Sequence, residues 1–483
     1  MKNLRHIRAF FLFAVLAVLA CSPAFGAEPS LEQFESLTIG GVRVLLLSAE
    51  EFDGDATIFG VMRVGHGHQR EGEAHCAYLA EQLIFKNPVV GRCSLDTWVS
   101  GHGAANRSNS LWSSTISWTA NDYTQFTVIV PGRSLPGAIR HLFNALFPAE
   151  IKQETFDKLT NLDLKVRLQV MAADEARSVE NAFLDHFYQG TPFLKRVLEV
   201  SANDVTSDTV LAFMQREYAL SRLTLVIAGD FEKEAAWAAL NDAVSNRPQG
   251  PGPSYPTVDF SGIPSTAKAE CELVDGPRFV LGIGLAAVPK EEQSLFLLSL
   301  QFLYSRLVNG LPGGWRVLKT EQNLDVSNHS QLLYIAYEVE PTLLEEGTDK
   351  LAAQLLAAAK KETAALAAAG PTSAEIELYE AALHEMEAAD FGLNSYSIAF
   401  KRGVQELPGQ AELPFSKEEL PAALQKLVQG LAEDLVYTVL IVEPPAPKSK
   451  IKPAVLALTA AGLGIAAAAV VLVLTRRKGR QAA

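Results

Sequence analysis

The chain has 483 residues, with 42 Lys+Arg against 55 Asp+Glu and a formal net charge of −13. Ten of the basic residues stand at the two ends, so the stretch between carries 32 basic against 55 acidic residues, a net of −23. A surface that acidic repels nucleic acid and anionic lipid, which excludes nucleic-acid binding.

The first 27 residues read as an export signal. Lys2, Arg5 and Arg8 precede the apolar run Ala9–Ala20, and a small-residue stretch, Cys21–Ala27, offers cleavage near Gly26 or Ala27. Val18-Leu19-Ala20-Cys21 gives an alternative, a lipidated Cys21, although a lipid would duplicate the C-terminal anchor read below. Cys76, Cys93 and Cys271 remain in the mature chain. So odd and sparse a set is no disulfide scaffold, and a single Cys76–Cys93 bridge is left open.

About 420 residues exceed one core and suit two domains. Residues 28–246 form the first. Strands are expected at Val42–Leu47 and Thr57–Val64, then a helix from about Ala74, then strands at Ser113–Thr119 and Gln125–Val130. Helices follow at Leu135–Phe147, Glu154–Val170, Ser178–Tyr188 and Ser207–Tyr218, and strand Leu223–Ala228 closes the half. Residues 247–268 read as a linker because Arg247–Pro256 is dense in Pro and Gly. The second domain, 269–443, has a strand at Arg278–Leu285, a helix from about Glu292 and a strand near Leu332–Glu338. An Ala-rich helix, Leu343–Ala369, stops at Gly370-Pro371, and Thr372-x-x-Glu375 is a capping box for the next helix. Helix Leu420–Leu431 and strand Val436–Val442 end the half. The same order of elements occurs twice, so the fold class is α+β, a tandem repeat of two similar lobes.

Residues 444–453 are a juxtamembrane segment. Residues 454–475 are apolar or small throughout and would reach about 33 Å as a helix, enough for the hydrocarbon core. The tail 476–483 holds Arg476, Arg477, Lys478 and Arg480, a cytoplasmic stop-transfer cluster. The expected location is therefore a cell membrane, of bacterial inner-membrane type, with the bulk on the periplasmic side. Gly462-x-Gly464 suits either close approach of two membrane helices or simple lipid contact.

Helix 74–87, in the stretch Gly72–Asn87, carries the family resemblance. Ala77-Tyr78-Leu79-Ala80-Glu81-Gln82-Leu83-Ile84-Phe85-Lys86 resembles the zinc helix of the pitrilysin/insulinase (inverzincin) metallopeptidases, A-H-x-x-E-H-x-x-F-K. That motif puts two imidazoles at i and i+4 on one helix face for Zn²⁺, with the Glu as general base. Glu81 matches the base, but Tyr78 and Gln82 stand where the histidines belong. A phenol and a neutral amide are poor zinc donors. The family's third ligand is a glutamate in a later helix. The corresponding stretch, Phe156–Arg167, offers only Asp157 and Asp163. Further stretches are similar to family motifs: Leu37–Val44, Asn121–Phe126, Asp185–Pro192, Glu217-Tyr218 with Leu223–Asp230, and Leu318–Leu324. In the last of these, Lys319 and nearby Val326 lie near the family's substrate-binding Arg and Tyr positions.

The resemblance implies two α/β lobes of the processing-peptidase type and a member without retained zinc ligands, hence no zinc cofactor. It further implies a partner subunit of an active family paralogue, or a binder of extended peptides. An active metallopeptidase with an atypical site is the alternative, and a membrane-tethered scaffold is a further one. A metal site from His66, His68, His75 and Glu81 would be soft enough for Zn²⁺, yet His75 and Glu81 face different sides of a helix. These histidines otherwise read as exposed loop residues. His384-Glu385 lacks a second His and reads as surface helix.

Overall fold

The computed structural model describes residues 33–445, except 53, 90–92, 103–114, 190–204, 256–257, 287, 312, 319–322, 388–393, 409–412, 414 and 417. The expected export signal, Cys21, the expected membrane span at 454–475 and Lys319 lie outside the described residues. No helix among the described residues is long and apolar enough to cross a membrane.

The first half builds a six-stranded sheet from β1 (Glu35–Ile39), β2 (Val42–Ser48), β3 (Asp55–Met62), β4 (Thr115–Thr119), β5 (Thr124–Pro131) and β6 (Leu223–Gly229), in the order β1-β2-β6-β3-β5-β4. Gly40 and Gly41 join β1 to β2 with φ of +58° and +98°, a two-residue turn that glycine adopts without steric cost. β2 and β6 are parallel, and the remaining neighbours are antiparallel. The second half uses β7 (Thr266–Glu270), β8 (Arg278–Ala286), β9 (Trp315–Val317), β10 (Asn323–Val326), β11 (Ser330–Val339) and β12 (Val436–Glu443). Their order is β10-β11-β8-β12-β7, with β9 also on β11. Here β7 and β12 are the parallel pair. Strand for strand, the core of the first sheet recurs in the second, as the repeated element order predicts. β7 starts at Thr266, three residues before the boundary read from the sequence.

Helices in the first half are α1 (Cys76–Lys86), α2 (Leu95–Gly101), α3 (Leu135–Leu146), α4 (Gln153–Lys158), α5 (Lys165–Ala173), α6 (Glu175–Phe187), α7 (Ser207–Glu217) and α8 (Lys233–Val244). A π turn, Leu159–Leu164, carries α4 into α5. The second half adds α9 (Lys290–Asn309), α10 (Pro341–Leu344), α11 (Thr348–Ala369), α12 (Ser373–Glu387), α13 (Ser395–Val404) and α14 (Leu420–Leu431). The single Ala-rich helix expected from Leu343 is thus two, broken where Gly347 takes φ +93°. The capping box is present: the Thr372 amide donates to Glu375 Oε2 at 2.7 Å, and the Glu375 amide donates to Thr372 Oγ1 at 3.2 Å.

β3, β6 and β8 are apolar along almost their whole length because both faces are covered. One face packs on helices of the same half, the other on a helix of the opposite half. Helix α6 lays Val179, Phe183 and Phe187 on the second sheet, against Val280, Leu332, Leu440 and Val442. In return α13 lays Ile398 and Ala399 on the first sheet, against Leu45, Phe59, Val61 and Val226. Both contacts require glycine. A Cβ at Gly282 would stand 2.4 Å from Phe183, and one at Gly403 only 2.1 Å from Phe59. Through this exchange residues to Glu443 form one compact unit. The Pro/Gly-rich segment after Arg247 is docked on the first half: Leu220 and Ser221 amides donate to Pro248 and Gln249 carbonyls.

The Cys76–Cys93 bridge is not formed, and both thiols are free. Cys76 is buried in the first core, where desolvation and then the Glu73 charge push its thiol up to about 12. The Cys93 thiol donates to the Ser94 carbonyl at 3.4 Å.

Burial on α6 raises the Asp185 carboxyl to about 6. A carboxyl with a raised folded pKa favours the folded state fully below its unfolded pKa, and that contribution is lost as pH rises from about 4 through about 6. Asp185→Asn is therefore expected to stabilise the protein at pH 7 by about 1–2 kcal/mol, after discounting for its half-exposure. Urea unfolding at pH 7 and pH 4 checks this: the gain should vanish at the lower pH.

Candidate functional site

Helix α1 is buried almost all round. Its part-exposed positions are Tyr78, Gln82 and Lys86, spaced i, i+4, i+8 and hence on one face. The two positions aligned with zinc histidines therefore do share a face. Across from that face runs the helix formed by the π turn and α5. Its Arg167 guanidinium lies 4.5 Å from the centre of the Tyr78 ring, and its Asp163 accepts from Lys86 Nζ at 2.7 Å. A cation stacked on the phenol makes it a still poorer electrophile-binding group. Asp157, the other acid proposed as a stand-in ligand, accepts from Gln153 on the exposed side of α4.

Glu81 does not lie on that face. It is 4% exposed and turned toward the edge strand β4. Ser117 Oγ donates to Glu81 Oε1 at 2.7 Å, Thr119 Oγ1 donates to Oε2 at 2.6 Å, and Gln82 Nε2 donates to Oε1 at 2.9 Å. The carboxylate that matches the family base is thus engaged by three side-chain donors, and Gln82 is one of them. The sequence signal for its partners was the alternation Thr115-x-Ser117-x-Thr119, which puts three hydroxyls on one face of β4. Arg167 had no such signal, since its reach depends on how the later helix is laid across α1.

The histidines are not exposed loop residues. His66–His68 is one 3-10 turn, half-buried, and His75 opens α1 with φ +64°, in the left-handed region. The Gly65 amide donates to His68 Nδ1 at 3.2 Å. Burial lowers the His68 pKa, the nearby Glu217 opposing it and Arg222 adding to it. That imidazole thus belongs to a half-buried ion network rather than to Glu81. In it, Arg216 forks onto Glu73 at 2.5 and 2.7 Å, Arg216 also reaches Glu217, and Arg222 pairs with Glu217 at 2.6 Å. Desolvation is the largest influence on Glu73 and would raise it, but the Arg216 hydrogen bonds, the Arg70 amide and the two arginine charges together outweigh it and hold the carboxyl below its usual range. Among the described residues no three His, Cys, Asp or Glu side chains converge as a metal-binding group. Zinc, the metal of the family that the chain resembles, does not fit the donors at the motif positions: a stacked phenol, an amide bonded to its neighbour and a carboxylate turned away.

Val326 ends β10 in register with Gln331 of β11, and the turn that follows brings Asn328 to the first half. The turn is held there by Asp122, whose Oδ2 accepts from the Asn328 amide and Nδ2 at 2.7 and 2.6 Å.

No family model and no curated protein matches this sequence. Solved structures do match. The inactive domain of an M16 peptidase from Pseudomonas fluorescens superposes with a TM-score of 0.59 at 15% identity, covering 86% of this chain and 100% of that one. The fold is that of the M16 peptidases. A protease from Helicobacter pylori gives a TM-score of 0.57 at 16% identity, covering 85% of this chain and 99% of that one. Pitrilysin gives 0.58 at 15% identity over 86% of this chain but only 45% of its own length. The M16 fold seen here therefore corresponds to one half of pitrilysin and to the whole of the two shorter chains. The resemblance to the pitrilysin/insulinase type holds at the level of fold, from β1 to β12.

Proposed function

We propose that this protein is a non-catalytic, membrane-held member of the M16 fold that serves as the partner subunit of an active M16 peptidase. The observation that carries the proposal is the α1 face: Tyr78 under Arg167 and Gln82 bonded to Glu81, where an active member needs two free imidazoles. The half-length match to pitrilysin supports the pairing, because a chain of this size supplies one of two halves. The export signal at 1–27 and the apolar span at 454–475 would place the subunit outside the cytoplasm on a membrane, its tail inside. Peptide binding by the subunit itself is the second part of the proposal, resting on the fold alone.

Elemental analysis and a peptide-cleavage assay of the purified full chain test it. The expected result is zinc far below one atom per chain and no cleavage without a second subunit. A co-purifying M16 chain with an intact H-x-x-E-H would support the pairing. Stoichiometric zinc with chelator-sensitive cleavage, lost in Glu81→Gln, would overturn the proposal in favour of an atypical enzyme.

A further inference from the structure

Where the two halves meet lies a cavity of about 140 Å³, the size that accommodates a benzene ring. Both halves and the Pro-rich segment build it. Val61 comes from the end of β3 and Arg63 from the residue just after it, Tyr123 from the entry to β5, and Tyr255 from the segment between the halves. Lys290 comes from the start of α9, and Glu406 with Leu407 from the residues after α13.

The charges of this cavity are unevenly satisfied. Glu406, 4% exposed at its side chain, is met by Arg43 at 2.5 Å and by Arg402 at 3.0 Å. Arg63 stands off from the same carboxylate at 3.7 Å. Its guanidinium donates no hydrogen bond to any described residue, although the side chain is only 24% exposed. Half-buried guanidinium groups, with five donors, ordinarily find acceptors. Lys290 at the mouth has no ion pair among the described residues. Among the charged residues that line the cavity, Arg63 and Lys290 thus share the single carboxylate of Glu406, which Arg43 and Arg402 already engage. The other walls are two tyrosine rings, Asn328 and the apolar Val61, Pro253, Leu407 and Pro408.

We infer that this cavity binds a small organic carboxylate with an apolar or aromatic body, its carboxylate on Arg63 and Lys290. The planar guanidinium fork matches a carboxylate, and the tyrosine and aliphatic walls match the body. The inference is independent of the α1 face. A ligand held there would touch both halves at once and so favour their association.

Calorimetric titration of the full chain with benzoate, benzamide and inorganic phosphate tests it. Benzoate should bind one per chain, with benzamide and phosphate at least tenfold weaker. Arg63→Gln should weaken benzoate at least tenfold, about 1.4 kcal/mol. It leaves Glu406 its two closer arginines, and a melting curve verifies that the variant folds. Lys290→Gln, on the surface, should weaken benzoate several-fold without touching stability. Saturable phosphate binding in place of benzoate, equal binding of benzamide, no saturation at millimolar benzoate, or insensitivity to both variants would each overturn the inference; in the last two cases the cavity holds water alone.

Discussion

Phe183→Ala is expected to cost about 3–5 kcal/mol of stability and to loosen both sheets together. The ring is fully buried and stands 5.8 Å from Phe187 and 5.4 Å from Tyr334, centre to centre. Its far side rests on the backbone of Gly282, where no side chain could collapse into the space it leaves. Truncation therefore leaves a cavity as well as removing buried apolar area. Phe183 belongs to the first half by sequence and to the core of the second by packing. Hydrogen exchange reads the consequence: amides of β3 and β6 should lose protection along with those of β8 and β12. Loss confined to β8 and β12 would show that the halves unfold independently and that the exchange of α6 and α13 does not couple them. The same geometry predicts that residues 28–246 alone would expose the face of Leu45, Phe59, Val61 and Val226, and would not fold stably without α13.

That exchange marks where sequence reading stops. Periodicity placed most of the elements, because apolar runs and capping residues are local. Helix Leu420–Leu431 matches residue for residue, and the Thr372–Glu375 box is made as its spacing requires. A helix's amphipathic period says that it has an apolar face, but not which sheet the face will meet. Nothing local in Ser178–Tyr188 points to Gly282 and Gly284, a hundred residues on. Helix α13 was missed outright, since its Ser395-Tyr-Ser-Ile-Ala-Phe-Lys-Arg-Gly403 mixes polar and apolar residues and owes its order to Phe59 and Thr57 across the molecule. The short strands β7, β9 and β10 were missed because their partners, rather than their composition, make them strands. At the site, the replacements at Tyr78 and Gln82 were plain in one dimension. What fills the gap was not: Arg167 reaches Tyr78 only through the way the π turn carries α4 into α5.

Glu81→Ala is expected to destabilise the protein by about 2–4 kcal/mol, a loss that a residue kept for chemistry would not show. The carboxylate is the acceptor that ties α1 to the edge strand β4, and removing it strands two hydroxyl donors, Ser117 and Thr119, in a mostly buried site. Each unsatisfied buried group costs about 1–3 kcal/mol, which sets the range. Glu81→Gln should cost less, about 1 kcal/mol, because the amide keeps one acceptor and hydroxyls can rotate to donate or accept. A double-mutant cycle with Thr119→Val completes the test. The hydroxyl and the carboxylate are one interaction, so the losses should fall short of additive by about 1 kcal/mol or more. Additive losses, or an Ala variant as stable as the parent, would remove the structural role. A general base in an active site is held for its access to substrate, and its removal commonly leaves the fold intact or firmer. A carboxylate only 4% exposed and engaged by three donors has the opposite design: its retention beside Tyr78 and Gln82 follows from what it holds together.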